Sequence, residues 1–270
     1  MCGSDTTDPL VKKLFKEERL ILLRTAFLAD ELSPGMIVVS YPSSDNRTPD
    51  VLPLERFIEQ SPTIKIREAP YRFFSLSETS RAVEASAALQ AAGILGEEVD
   101  FDGVEAALHA SGGRKFEVSL EGAVRAELDL ATAEDTIRAG RLTARGQEDC
   151  ERGCRLHLVT RTVAANTVLL RGDADLEIGA LAKVLPFASG KTKAKLKSAR
   201  ELTMQRTEQE MVIGFSALRI LPTDEGLFLA GLERPLDMRG PGFREANAQF
   251  TTPDELGAKE TVFVCLAKSP

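Results

Sequence analysis

Four cysteines and two histidines carry most of the nucleophilic and metal-ligating capacity of this 270-residue sequence. Cys150 and Cys154 stand four apart, with His157 close behind, and offer the sulfur and nitrogen atoms that zinc prefers. Structural zinc takes four ligands, and no second cysteine pair is near. The spacing therefore reads as two reduced thiols at a turn before a strand. With only His109 and His157 present, a serine or cysteine nucleophile has few bases to activate it. His109 stands in an Ala-rich stretch without a nucleophile motif. Ala188-Ser189-Gly190-Lys191-Thr192 has the ending of a phosphate-binding loop. That loop requires glycine where Leu185 stands, and lysines follow in place of an apolar helix. Asp100-Phe101-Asp102-Gly103 lacks the remaining ligands of a calcium loop. These residues predict no catalytic centre, no metal and no bound cofactor, and the protein is not expected to be an enzyme.

Two features remain that chemistry could use. Residues 191–200, KTKAKLKSAR, hold Lys191, Lys193, Lys195, Lys197 and Arg200 and no acid. Four lysines at period two share one face of an extended strand. One reading is an edge strand guarded by lysines against pairing with other chains. The other is contact with anionic headgroups, at about 1 kcal/mol per basic residue near such a surface. Lys12, Lys13 and Lys16, beside an apolar helical stripe of Leu10, Val11, Leu14 and Phe15, would add to that contact. The second feature is Cys2, flanked by Gly3 and Ser4 and expected to be accessible. No apolar segment precedes it, which excludes a secreted-lipoprotein cysteine. N-myristoylation would need glycine in its place. A free thiol there is a candidate for S-acylation.

The elements that would position such groups are mixed in type. The chain is 43% apolar with a net charge of −7, enough to bury a core and too acidic for a general nucleic-acid binder. No apolar run approaches a membrane helix and no signal-peptide pattern opens the chain. The expectation is a soluble protein of a reducing compartment. The segments GMIVVSYP, RLHLVTRTV, NTVLLRGDADLEI, EMVIGFSALRI and GLFLAGLE read as strands, and RLILLRTAFL as either a helix or a buried strand. ETSRAVEASAALQAAGIL reads as a helix behind the capping box of Ser75 and Glu78, DGVEAALHASGG as a short helix, and ATAEDTIRAG as another. Helices do not alternate regularly with strands, which disfavours a parallel nucleotide-binding sheet. The fold class predicted is α+β, a twisted and mostly antiparallel sheet with peripheral helices.

Residues 115–130, KFEVSLEGAVRAELDL, place Phe116, Val118, Leu120, Val124, Ala126, Leu128 and Leu130 on even positions, interrupted only by Gly122. The odd positions are mainly polar. Fully extended, such a ribbon reaches roughly 50 Å, longer than an ordinary strand and longer than a membrane-spanning one needs. Gly122 offers a bend, and the Glu-, Ala- and Leu-rich sequence after it suits a helix as well as a strand. The stretch fits both an ordinary sheet and one held in reserve. Beyond residue 236 the sequence turns rich in Gly, Pro and polar residues and then closes on the apolar TVFVCLA. This predicts a body over 1–236, an accessible connector over 237–254 and a docking tail over 255–270.

Taken together these residues resemble a bacterial gasdermin. The resemblance lies in an N-terminal Cys2, the basic amphipathic DPLVKKLF, a β-rich body in which RLHLVTRTV precedes a basic stretch and EMVIGFSALRI follows it, and a short tail where animal relatives carry a whole repressor domain. It covers nearly the entire chain without a single specific motif. It implies a gasdermin N-terminal-domain-like body and a short inhibitory C-terminal peptide. The protein would be monomeric and cytoplasmic until a caspase-like protease encoded nearby cuts the connector. Arg239 and Arg244 are the cleavage candidates. The body would then assemble as a homo-oligomeric pore in anionic lipid of the inner membrane and kill the infected cell, an antiphage defence. The resemblance also implies a palmitoyl group on Cys2, although Cys2 directly follows Met1, so its acyl register departs from the family pattern. Membrane contact falls to Lys12, Lys13, Lys16, Lys191, Lys193, Lys195, Lys197 and Arg200, and tail contacts to Val262, Phe263, Val264 and Leu266. The competing reading of the residues is a stable α+β scaffold domain whose basic segment recruits an acidic partner.

Overall fold

The computed structural model describes residues 19–59, 65–71, 116–172, 192–198, 201–206, 210–232, 248–257, 263–264 and 266–268. Two apolar runs make its centre. Strand β9 (Arg155–Ala165) and strand β13 (Met211–Thr223) pair antiparallel and are buried along most of their length. Continuous apolar runs suit strands covered on both faces. Around them lie β1 (Ile21–Leu28), β2 (Ile37–Ser40), β3 (Asp50–Leu52), β14 (Gly226–Leu229) and the short strands β15 (Phe263–Val264) and β16 (Ala267–Lys268). Their order is β15-β1-β13-β9-β2-β3-β16, with β14 on β13. β5 (Ile66–Pro70) joins through β7 (Val124–Leu128), which pairs β9. A separate two-stranded pair joins β4 (Ile58–Glu59) to β8 (Arg141–Leu142).

RLILLRTAFL, ambiguous in sequence, is strand β1 in the core, with Ile21, Leu22, Leu23 and Phe27 all buried. Gly214 of β13 lies so close to it that a Cβ would stand 2.7 Å from Leu20 Cδ2 and 2.8 Å from the Ile21 carbonyl oxygen. β5 is exposed along its whole length. ATAEDTIRAG forms helix α1 (Leu130–Ala139), begun by Asp129, whose carboxylate accepts from the Thr132 hydroxyl at 2.6 Å. Helix α2 (Ala144–Glu151) begins on the Thr143 side chain and ends on the left-handed Gly153. There Cys154 N–H donates to the Asp149 carbonyl and Gly153 N–H to that of Cys150, a paired arrangement that satisfies the last carbonyls.

The ribbon at 115–130 divides at Gly122, whose φ of +67° favours glycine. Before it runs β6 (Phe116–Glu121) and after it β7; the helical alternative for the second half is not adopted. β6 pairs β10 (Thr167–Gly172) while β7 pairs β9. Both strands of the main sheet thus continue into a second, four-stranded sheet. Its order is β11-β12-β10-β6, with β11 (Thr192–Ser198) and β12 (Glu201–Arg206) forming its hairpin.

Two cores lie on opposite faces of the main sheet. One gathers Leu156 and Leu158 of β9, Ile37 and Val39 of β2, and Leu218 and Ile220 of β13 against Ala133 and Ile137 of α1. The other gathers Ile21 and Phe27, Val38, Val51, Val159, Val212 and Phe215 with Leu256, Val264 and Leu266.

Candidate functional site

The second core is built from every strand on the path from β1 to β3, and from the C-terminal segment itself. Val264 is 1% exposed and Leu266 2%. The backbone there pairs in two directions. Leu22 and Leu23 of β1 align in parallel with Phe263 and Val264. Asp50 and Val51 of β3 align in parallel with Ala267 and Lys268, and Ala267 N–H donates to the Pro49 carbonyl at 2.8 Å. β1 and β3 are the two edges of the sheet β1-β13-β9-β2-β3. Residues 263–268 therefore bridge both edges and close the sheet around its own core. Apolar side chains at both Val264 and Leu266 let so short a segment do this. Burying each gives roughly 1.5–3 kcal/mol before ordering costs.

The residues leading into that segment are anchored as well. Of the expected connector, 237–247 lie outside the described residues, while 248–254 pack on the body. Gln249 N–H donates to the Ala230 carbonyl and Thr251 N–H to that of Ala217. Phe250 forms a bridge with Leu218. Thr251 is 1% exposed, and its hydroxyl lies 2.9 Å from His157 Nδ1. The other ring nitrogen, Nε2, lies 2.9 Å from the Ser40 hydroxyl. One imidazole thus joins β9, β2 and the lead-in to the tail. Burial, then the charges of Arg219 and Arg155, push its pKa down to about 3. The ring is neutral, one nitrogen donating and the other accepting.

The four-stranded sheet has its own regularity. Register aligns Val118, Leu170, Leu202 and Leu196 across the four strands, and two residues along it aligns Leu120, Val168, Met204 and Ala194. The intervening positions align Glu121, Thr167, Gln205 and Lys193, then Ser119, Leu169, Thr203 and Lys195. Residues opposite one another in antiparallel strands share a face. The backbone thus sorts two rows of apolar residues to one face and mostly polar residues to the other. A cross-strand ion pair, Arg171 to Glu201 at 3.1 Å, belongs to the polar set.

The predicted residues fall in different places. Lys193, Lys195 and Lys197 stand on β11, which among the described residues pairs β12 alone. A register irregularity between Leu196 and Ser198 interrupts the period-two alignment at Lys197. Val264 and Leu266 occupy the second core and Phe263 the strand beside β1. Cys2, Lys12, Lys13, Lys16, Lys191, Arg200, Arg239, Arg244 and Val262 lie outside the described residues. Cys150 and Cys154 border a cavity of about 190 Å³ with Arg155, Leu156, Arg219 and Pro222. Both thiols are free, and burial raises both their pKa values, which leaves them protonated at neutral pH. Among the described residues no three potential metal ligands converge. The His157 junction is the part that residue patterns did not reveal, because a lone histidine in an apolar strand carries no spacing signal.

No protein-family model matches the chain, and no curated protein does. Among solved structures, a bacterial gasdermin from Bradyrhizobium tropiciagri aligns over 99% of this chain and 100% of its own, at a TM-score of 0.62 and 12% sequence identity. At that identity the likeness is one of fold: a mostly antiparallel sheet with helices packed beside it. The chain has the fold of a bacterial gasdermin.

Proposed function

We propose that this protein is a pore-forming cell-death effector, kept inactive by its own C-terminal segment and released by proteolysis in the connector, between residues 237 and 254. The observation that carries the reading is the four-stranded sheet, in which two registers align apolar residues across all four strands and the intervening registers align mostly polar ones, Leu169 excepted. A transmembrane β-barrel needs that alternation, with apolar residues toward lipid, polar residues toward water and every backbone group paired. No described helix is long and apolar enough to cross a membrane, which leaves strands unaddressed. The bridging segment 263–268 supplies the inhibition. While tethered, it has a high effective concentration at both sheet edges, and a cut upstream removes that advantage.

In this reading the inactive protein is a cytoplasmic monomer. Its protease is caspase-like and encoded nearby, with Arg239 and Arg244 as the candidate cut sites. The activated copies assemble in the anionic lipid of the inner membrane, as an antiphage response, without nucleic acid and without catalysis. Lys193, Lys195 and Lys197, with Lys12, Lys13, Lys16, Lys191 and Arg200, meet the headgroups. A palmitoyl group on Cys2 adds a second membrane signal, since one acyl chain alone anchors only marginally. The test is dye release from anionic liposomes, with the intact chain compared to the chain cut between 237 and 254. Release by the cut chain alone is expected. Silence from both would favour a scaffold domain.

A further inference from the structure

His157 occupies a position that makes it more than a buried polar residue. Its ring is fully buried, and its two nitrogens bond a hydroxyl on β2 and a hydroxyl on the segment that leads to the tail. Thr251 is held twice: its side chain by His157 and its N–H by the Ala217 carbonyl of β13. Five residues on, Leu256 enters the same core as Val264 and Leu266. The imidazole therefore stands where the body meets its closing segment.

The groups around it make a second proton costly. From β9 comes Arg155 and from β13 comes Arg219, the register partner of His157, and both act on the ring as like charges. From β2 and from the tail lead-in come only the neutral hydroxyls of Ser40 and Thr251. Tyr41, just past β2, and Asp50 of β3 are bound to each other and to Arg47. An imidazolium here would be a buried cation facing two others, with both hydroxyls forced to accept. Moving the 248–257 segment away admits water and relieves that cost, while the opposite core, on whose margin Ala248 and Phe250 of that segment pack, still holds α1 and β14 through its own buried residues.

We propose that His157 is an acid-sensitive latch: its protonation loosens the 248–257 segment and strands β15 and β16 from the body without any cut in the chain. The inference stands apart from the pore reading, because it concerns release of the segment and not what release brings about. The ring's depressed pKa sets the range. An open state in which the ring regains its ordinary value gains a proton as pH falls below about 6.5, so the opening equilibrium rises roughly tenfold per pH unit.

Deuterium exchange on the full chain tests this, from about pH 7.5 to about pH 4.5, with rates corrected for intrinsic exchange. Peptides spanning 248–257 and 263–268 are expected to lose protection by about tenfold per pH unit below about 6.5. Those of α1 and β14 should stay protected. His157→Gln, which keeps hydrogen-bonding capacity without titrating, should flatten the profile. Arg219→Gln removes one opposing charge, so the loss should level off at a higher pH; this arm stands should the Gln variant fail to fold. A wild-type profile without the acid-dependent loss overturns the latch. So does identical behaviour of wild type and either variant, or simultaneous loss of protection in α1 and β14. Dye release is measured in parallel: opening without release supports the latch and counts against the pore.

Discussion

His157 and Gly214 are each committed to one environment, and each makes a measurable claim on stability. The His157 pKa of about 3 lies below its ordinary value of 6.5. A group whose folded pKa is depressed in this way contributes fully above 6.5 and loses that contribution as pH falls towards 3. The loss is about 1.4 kcal/mol per pH unit. Urea unfolding near pH 7.5 and near pH 5.5 should differ by about that much for the wild type, and the difference should vanish in His157→Gln. At Gly214 the obstruction includes a backbone oxygen, 2.8 Å from where a Cβ would sit. A flexible side chain can turn aside, whereas the β1 backbone can move only with its strand. Gly214→Ala is expected to cost about 1–3 kcal/mol, read from the urea midpoint at unchanged slope. Gly122 differs: its φ is positive but nothing lies within 4 Å. Gly122→Ala therefore carries only the left-handed penalty of about 1–2 kcal/mol.

At the scale of elements, the pattern of single strands was legible and the pattern of their partners was not. β9 and β13 announce themselves as apolar runs, and α1 through its helical spacing. Nothing local tells 115–130 that its halves belong to different sheets, because that depends on β9 bending at Asn166 in step with Gly122. The tail was legible as apolar, yet the bridging of two edges by six residues depends on strands far away in the chain. The later part of the expected connector illustrates a related point. Turn-rich composition marks irregular backbone, and Thr251 and Phe250 show that irregular backbone can still be packed. Two predictions belong to these elements. Leu266→Ala should cost about 2–4 kcal/mol by leaving a cavity at the closure, and dye release by the uncut chain should rise. Reversing Lys191, Lys193, Lys195 and Lys197 to Glu should abolish release from anionic liposomes, at about 1 kcal/mol per basic residue lost, while leaving the melting temperature of the intact chain in place. Unchanged release would make β11 a guarded edge alone.

For the whole molecule, the proposed activity depends on a sheet closed by a segment that the body must later lose. Intact-mass measurement on protein from native-like expression should find a long acyl adduct on Cys2, and Cys2→Ala should lower dye release by the cut chain more than it lowers stability. An unmodified Cys2 with full activity in the Ala variant would remove that anchor. The closure also has a kinetic side. Leu22 pairs with Phe263 and Asp50 with Ala267, contacts of very large sequence separation. Such contacts are slow to form, because the chain entropy of bringing them together comes first. The hairpins and the β9–β13 pair can assemble around them without the tail. In kinetic terms the closing strand should be absent from the folding transition state, so Leu266→Ala should leave the refolding rate nearly unchanged and accelerate unfolding. Each newly folding copy then passes through an interval in which its body is built and its edges are still bare.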